Sequence, residues 1–201
     1  AASEGERVRA ASATTPAVIP QLTIAVEHYN RMCRLLAKKV PVRVALELRA
    51  TFSAEDRMEH NVLADLPGTD PVLGGELVML GAHFDSWHTG TGATDNGCGS
   101  AVVMEAMRLL TVLTKDMGHG PRRTIRCALW SGEEQGLLGS RAYVAAHTWD
   151  ADARRPKPDH ANVAAYFNLD NGTGRIRGVW GQANKGALPI LEKWGEPLKT
   201  L

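Results

Sequence analysis

Four turns, each bearing an acid or a histidine, follow one another in fixed order, and each stands where an apolar run ends. They are Gly81-Ala82-His83-Phe84-Asp85, Gly92-Ala93-Thr94-Asp95-Asn96-Gly97, Ser131-Gly132-Glu133-Glu134 and Asn168-Leu169-Asp170-Asn171. A sheet that presents polar side chains to one crevice does so at the carboxyl ends of parallel strands. Strand-like runs at Leu77 to Leu80, Thr124 to Trp130 and Val163 to Leu169 alternate with helical patterns at Gly99 to Lys115 and Leu138 to His147. That alternation predicts βαβ units, and so an α/β fold with a mostly parallel, mixed sheet flanked by helices in three layers.

The rest of the chain is read against this core. Residues 1–16 are rich in Ala, Ser, Thr, Glu and Arg without a period and are expected to be a loop or disordered end. Residues 17 to 24 look strand-like, and Tyr29, Met32, Leu35 and Leu36 form a helical stripe closing at Lys38-Lys39, where positive charge suits a helix C-terminus. After Pro41, Val42, Val44, Leu46 and Leu48 alternate with charged residues, the pattern of a half-buried strand. Further strands are expected at Met58 to Leu66 and Gly178 to Trp180, and a helix over Ala187 to Trp194.

Composition limits the function. The formal net charge of +1 supplies no basic footprint for nucleic acid. No uninterrupted apolar run approaches the roughly 18 residues of a membrane span, since the longest candidate, Ala101 to Leu113, contains Glu105 and Arg108. The first residue is Ala1 and no charged-then-apolar leader follows it, so a processed or fragmentary start is expected. Cys33, Cys98 and Cys127 have no zinc-finger spacing and read as small hydrophobes, although Cys98 at a helix start could have an activated thiol.

Taken singly, each turn has an ordinary reading: a strand-end histidine, an Asp-Asn-Gly turn, a solvated acidic turn, a cap. Together they place imidazole and carboxylate donors at one edge, and zinc binds that mixture well. Asp85 can hold the second ring nitrogen of His83. Asp95, among small residues that let the backbone approach an ion, can offer one oxygen to each of two metals. Glu133 and Glu134 can divide labour, one accepting a proton and the other ligating. His88 could join the pocket rim and Trp87 its wall, whereas His28, His119, His147 and His160 read as surface or capping residues.

With these residues laid out, the chain resembles the di-zinc exopeptidase family of aminopeptidase and glutamate carboxypeptidase-like metallopeptidases over about residues 58 to 200. The stretch HFDSWHTGTGATDNGCG is most similar to the plasma glutamate carboxypeptidase branch. The resemblance implies two zinc ions, with His83 and Asp170 on one, Asp95 bridging and Glu134 on the other. It implies Glu133 as general base and Asp85 as the residue orienting His83. It also implies a cis peptide at Asp95–Asn96. The activity implied is hydrolysis of peptides or dipeptides from one end through a metal-bridging hydroxide, in a secreted or periplasmic protein; a homodimer is compatible with it. Residues 17–50 resemble the tail of a protease-associated domain, leaving residues 51–201 as the N-terminal part of the catalytic domain.

One departure is plain: the family's second zinc takes a further histidine after the fourth motif, and no histidine follows His160. A fragment of a longer protein is therefore expected, with the second site incomplete, rather than a degenerate copy. Two rivals share the fold. A single-zinc glutaminyl cyclase-like acyltransferase would carry the same turns, and a non-catalytic relative would be expected to have lost some of the ligands retained here.

Overall fold

A computed structural model describes residues 22–49, 58–87, 90–175 and 177–198. The chain divides into two units, Ala1–Arg57 and Met58–Leu201.

In the first unit, α1 spans Val26–Ala37. It ends as the lysine pair suggests: Lys39 turns left-handed at φ 58°, and Val40 N–H donates to the Leu35 carbonyl at 3.0 Å. The alternating stretch that follows forms no strand. Val44, Leu46 and Leu48 are exposed, and no ladder partner meets residues 41–49 among the described residues. Period-2 patterning makes a segment able to pair; a strand forms only when a neighbour supplies the other half of the ladder. The expected strand over residues 17 to 24 lies outside the described residues up to 21, and residues 22–24 are irregular.

The second unit holds a four-stranded sheet in the order β1-β3-β2-β6, made of β1 (Val62–Leu66), β2 (Leu77–His83), β3 (Thr124–Trp130) and β6 (Val163–Asn168). β2 runs parallel to both β3 and β6, and β1 closes one edge antiparallel to β3. The helices α2 (Cys98–Met117) and α3 (Leu138–His147) follow β2 and β3, α4 (Leu188–Gly195) comes last, and the two-residue strands β4 (Trp149–Asp150) and β5 (Arg155–Pro156) form a small hairpin between α3 and β6. The architecture is the expected mostly parallel sheet flanked by helices. The hairpin has no pattern to announce it, and Gly178 to Trp180 is irregular rather than extended in a ladder.

Strand alternation sorts the core into two faces. Leu80 and Ala82 of β2 join Cys127 and Leu129 of β3 under Val103 and Met107 of α2. Leu77 and Met79 join Ala128 and Trp130 under Tyr143 of α3. With the kinked turn before it, α2 extends over 25 residues and is long and apolar enough to cross a membrane by length and composition. Counting uninterrupted apolar residues does not reveal this. Here that helix rests its Gly99, Ser100 and Val103 flank in the interior.

Polar residues tie the outer parts to this core. Arg126 makes a two-pronged ion pair with Asp65 across β1 and β3, at 2.6 and 2.7 Å, and donates to the Tyr143 hydroxyl at 2.9 Å. Asp70 accepts from the N–H groups of Leu73 and Val72 and from Arg122, which together hold its carboxyl down to about 2. Gly81 leaves room for Tyr166, whose hydroxyl accepts from Trp130 Nε1 at 2.7 Å and donates to Asn168 Oδ1 at 2.6 Å. A Cβ at Gly81 would lie 2.1 Å from that hydroxyl.

Two outcomes follow. Gly81→Ala is expected to destabilise the chain by about 1–3 kcal/mol in urea unfolding, because a hydroxyl held from two sides cannot yield. Asp70, with its folded pKa depressed, contributes stability that is present above its unfolded pKa of about 3.9 and lost as pH falls toward about 2. The stability gap between wild type and Asp70→Asn, measured by urea titration, should therefore close between about pH 5 and pH 2.

Candidate metal centre

Parallel pairing places the ends of β2, β3 and β6 together. His83 is opposite Trp130, the last residue of β3, and Gly81 is opposite Asn168, the last of β6. The residues that continue each strand therefore meet. Leu169 N–H donates to the Gly81 carbonyl at 2.9 Å, and Phe84 N–H donates to that of Trp130 at 2.9 Å. These bonds extend the sheet by one residue into the turns.

His83 is the centre of the cluster, 2% exposed. Its Nδ1 lies 3.0 Å from the main-chain carbonyl of Asp85 and 3.4 Å from the Asp85 carboxylate. Its Nε2 faces Asp95 Oδ1 at 3.0 Å, Asp170 Oδ1 at 3.2 Å and Glu133 Oε2 at 3.9 Å. Burial alone would lower the imidazole pKa, but the carboxylates of Asp170 and Glu133, with Asp85, hold it above its ordinary value. The Glu133 carboxyl is pushed up, chiefly by burial and then by its acidic neighbours Asp170, Glu134 and Asp85, against the pull of His83.

Asp95 sits in a kinked turn, Ala93–Gly97, at the head of α2. Gly92 opens the turn at φ 65°, where a side chain would be strained, and Gly97 N–H closes it onto the Gly92 carbonyl at 2.7 Å. The Asp95–Asn96 peptide is cis, as the resemblance implies. Asn96 is 1% exposed and ties this turn to the next: its Nδ2 donates to the Leu169 carbonyl at 2.8 Å, and its Oδ1 accepts from Gly99 N–H at 3.2 Å. Gly99 is needed for this approach, since a Cβ there would lie 2.2 Å from Asn96 Oδ1. Ser100, one residue further, donates its hydroxyl to the His83 carbonyl at 2.8 Å.

Asp85 does more than face His83. Its two oxygens accept from the N–H groups of Glu133 and Glu134 at 3.0 and 3.2 Å. One carboxylate thereby joins the end of β2 to the turn after β3.

Sequence reasoning named His83, Asp85, Asp95, Glu133, Glu134 and Asp170. The structure gathers His83, Asp95 and Asp170 so that one donor atom from each lies within 4.8 Å of the others. Glu133 approaches this group, whereas Glu134 is held through its main chain and stands outside it. His88 lies outside the described residues, Trp87 is 49% exposed, and the Cys98 thiol donates to the carbonyls of Thr94 and Gly172. His119, His147 and His160 are not in the group. The bracing roles of the Asn96 side chain and of Ser100 are not legible in the sequence because neither bears ligand chemistry; for Asn96 the sequence offered the Asp-Asn-Gly triplet and the implied cis peptide.

The donor set fits zinc. Ligand atoms about 2.0–2.1 Å from a tetrahedral ion lie about 3.3 Å apart, close to the 3.0 and 3.2 Å separating His83 Nε2 from the two aspartate oxygens. The other ring nitrogen is already engaged by Asp85, which leaves Nε2 as the ligating atom.

An α/β sheet with an imidazole–carboxylate cluster at its strand ends can present a metal ion to a crevice. The chain matches the model of Peptidase family M28 over residues 61–196, and it belongs to that family. Carboxypeptidase Q of Mus musculus is 35% identical over 158 residues, covering 77% of this chain and 30% of that protein. Carboxypeptidase Q of Xenopus laevis is 33% identical over 155 residues, with 77% and 30% covered. The crystal structure of a peptidase M28 precursor from Shewanella amazonensis SB2B superposes with a TM-score of 0.53 at 34% identity, covering 69% of this chain and 28% of that one. The chain thus spans about a third of the length of the curated relatives it matches.

Removing the Asp85 carboxylate takes the acceptor from two main-chain N–H groups at once. Asp85→Ala is expected to lower the unfolding free energy by about 1–3 kcal/mol in denaturant titration.

Proposed function

We propose that the protein is a zinc-dependent exopeptidase that hydrolyses a terminal peptide bond of a peptide or dipeptide. The observation that carries this reading is the convergence of His83, Asp95 and Asp170, with Glu133 Oε2 3.9 Å from His83 Nε2, at the strand ends of a family M28 chain. His83 and Asp170 would hold one zinc, Asp95 would be shared, and Glu134 would turn toward a second. When bound, zinc supplies Lewis acidity that acidifies water and polarises the scissile carbonyl.

The remaining chemistry falls to the chain's own groups. Glu133, whose Oε2 lies 3.9 Å from His83 Nε2 at the edge of the donor group, takes a proton from the attacking water at Oε2. The water oxygen bonds to the carbonyl carbon, and as the C–N bond breaks Glu133 returns the proton to the leaving amine. Asp85 holds the Glu133 N–H at 3.0 Å and so fixes where that carboxylate starts. The buried Asn96 ties the Asp95 turn to the carbonyl of Leu169, next to Asp170. Carboxypeptidase Q, the name borne by the mouse and frog relatives, supports release of a terminal residue as the reaction class. Export from the cytoplasm accompanies the reading, since the Shewanella relative is described as a precursor.

The test is elemental analysis and peptide assays on the full chain. At least one zinc ion per chain, held by the His83, Asp95 and Asp170 group, and activity abolished by chelator and restored by zinc are the expected results. Glu133→Gln should bind the same zinc and lose about 10²–10⁴-fold in kcat. Undiminished turnover in that variant would remove Glu133 from the proton-transfer role.

A further inference from the structure

Glu133 must stand at a fixed height over the ligand cluster, and Asp85 holds it from the β2 side only. A second side chain holds the same turn from the other side. Asn61 lies immediately before β1, whose antiparallel register sets Val62 opposite Leu129. The residue before Val62 is therefore delivered to the end of β3, where the Ser131-Gly132-Glu133-Glu134 turn begins. There Asn61 Oδ1 accepts from Ser131 N–H at 3.1 Å, and Asn61 Nδ2 donates to the Gly139 carbonyl at 3.0 Å.

These two bonds span the base of the loop. Gly139 N–H donates to the Ser131 carbonyl at 2.9 Å, and Leu138 N–H donates to that of Gly132 at 2.9 Å. Entry and exit of the turn are thus cross-linked, and Asn61 ties both to β1. The fit is close: a Cβ at Gly139 would lie 2.1 Å from Asn61 Oδ1 and 2.5 Å from the Ser131 carbonyl. An asparagine suits the task because its primary amide offers an acceptor and a donor from one short planar group, and Ser131 and Gly139 ask for one of each.

We propose that Asn61 is a positioning residue for Glu133: it touches neither ligands nor reacting atoms, and acts by fixing the turn that carries the base. This rests on the peptidase reading given above. A displacement of about 1 Å in a catalytic group can cost on the order of 10²-fold in rate without a comparable effect on substrate binding.

The experiment has two arms on the full, zinc-loaded chain. In hydrogen–deuterium exchange, Asn61→Ala should accelerate exchange across residues 131–139 while the β3 amides at Cys127 and Leu129 stay protected. In peptide assays, its kcat should fall at least about tenfold with KM within about twofold and zinc content unchanged. Asn61→Asp keeps the acceptor for Ser131 but not the donor for Gly139, and should recover part of kcat; it also serves should the alanine variant fail to fold. Unchanged exchange over 131–139, or a wild-type kcat in Asn61→Ala despite a lowered Tm, overturns the proposal. If the zinc-loaded wild type cleaves no peptide, the peptidase reading fails on that control, and with it the catalytic role given to Asn61.

Discussion

Everything at the site depends on the parallel pairing of β2 with β3 and β6. Parallel strands share one direction, so their carboxyl ends fall on one edge, and the residues that leave those ends meet whether or not they are near in sequence. His83 and Asp170 come into range because Gly81 pairs with Asn168, and Glu133 because His83 pairs with Trp130. A slip of one residue would exchange side chains between the two packed faces of a strand and separate the donors. The two hydrophobic layers, under α2 and under α3, hold that register.

The turns are then held by uncharged main-chain bonds and by side chains that bear no reactive role. Asn96 links the Asp95 turn to Leu169, Ser100 ties the head of α2 to His83, and Asn61 ties β1 to the Glu133 turn. The carboxylates of Asp85, Asp95, Glu133 and Asp170 are thereby kept close to one buried imidazole, an arrangement that like charges resist. Burial first and these acidic neighbours second raise the Glu133 carboxyl, and attraction to the carboxylates raises the His83 imidazole against its burial. A divalent cation among these groups would relieve both effects, which is why the fit of the donor set to zinc and the titration behaviour of the cluster have the same physical origin.

Legibility in the sequence tracked locality. The strand Thr124–Trp130 and the helix Leu138–His147 lie where periodicity puts them, and β2 runs on through the motif to His83. The alternation after Pro41 misled because a period of two reports only the capacity to pair. The β4–β5 hairpin escaped notice because two residues carry no period at all. At the site, residues with ligand chemistry stood out, and those that merely hold main chain did not: Asn61 lies 70 residues from the Ser131 amide it satisfies.

The sequence by itself determined the class of fold, the order of the acid- and histidine-bearing turns and the donor types they offer, because periodicity and residue chemistry are local properties. Tertiary structure decided which donors share a centre, that Asp85 spends its oxygens on the N–H groups of Glu133 and Glu134, that Glu134 stands apart from the three-donor group, and which amides brace the turns. Those outcomes depend on sheet register and on the direction in which each turn leaves its strand, and both are set by packing between residues far apart in the chain.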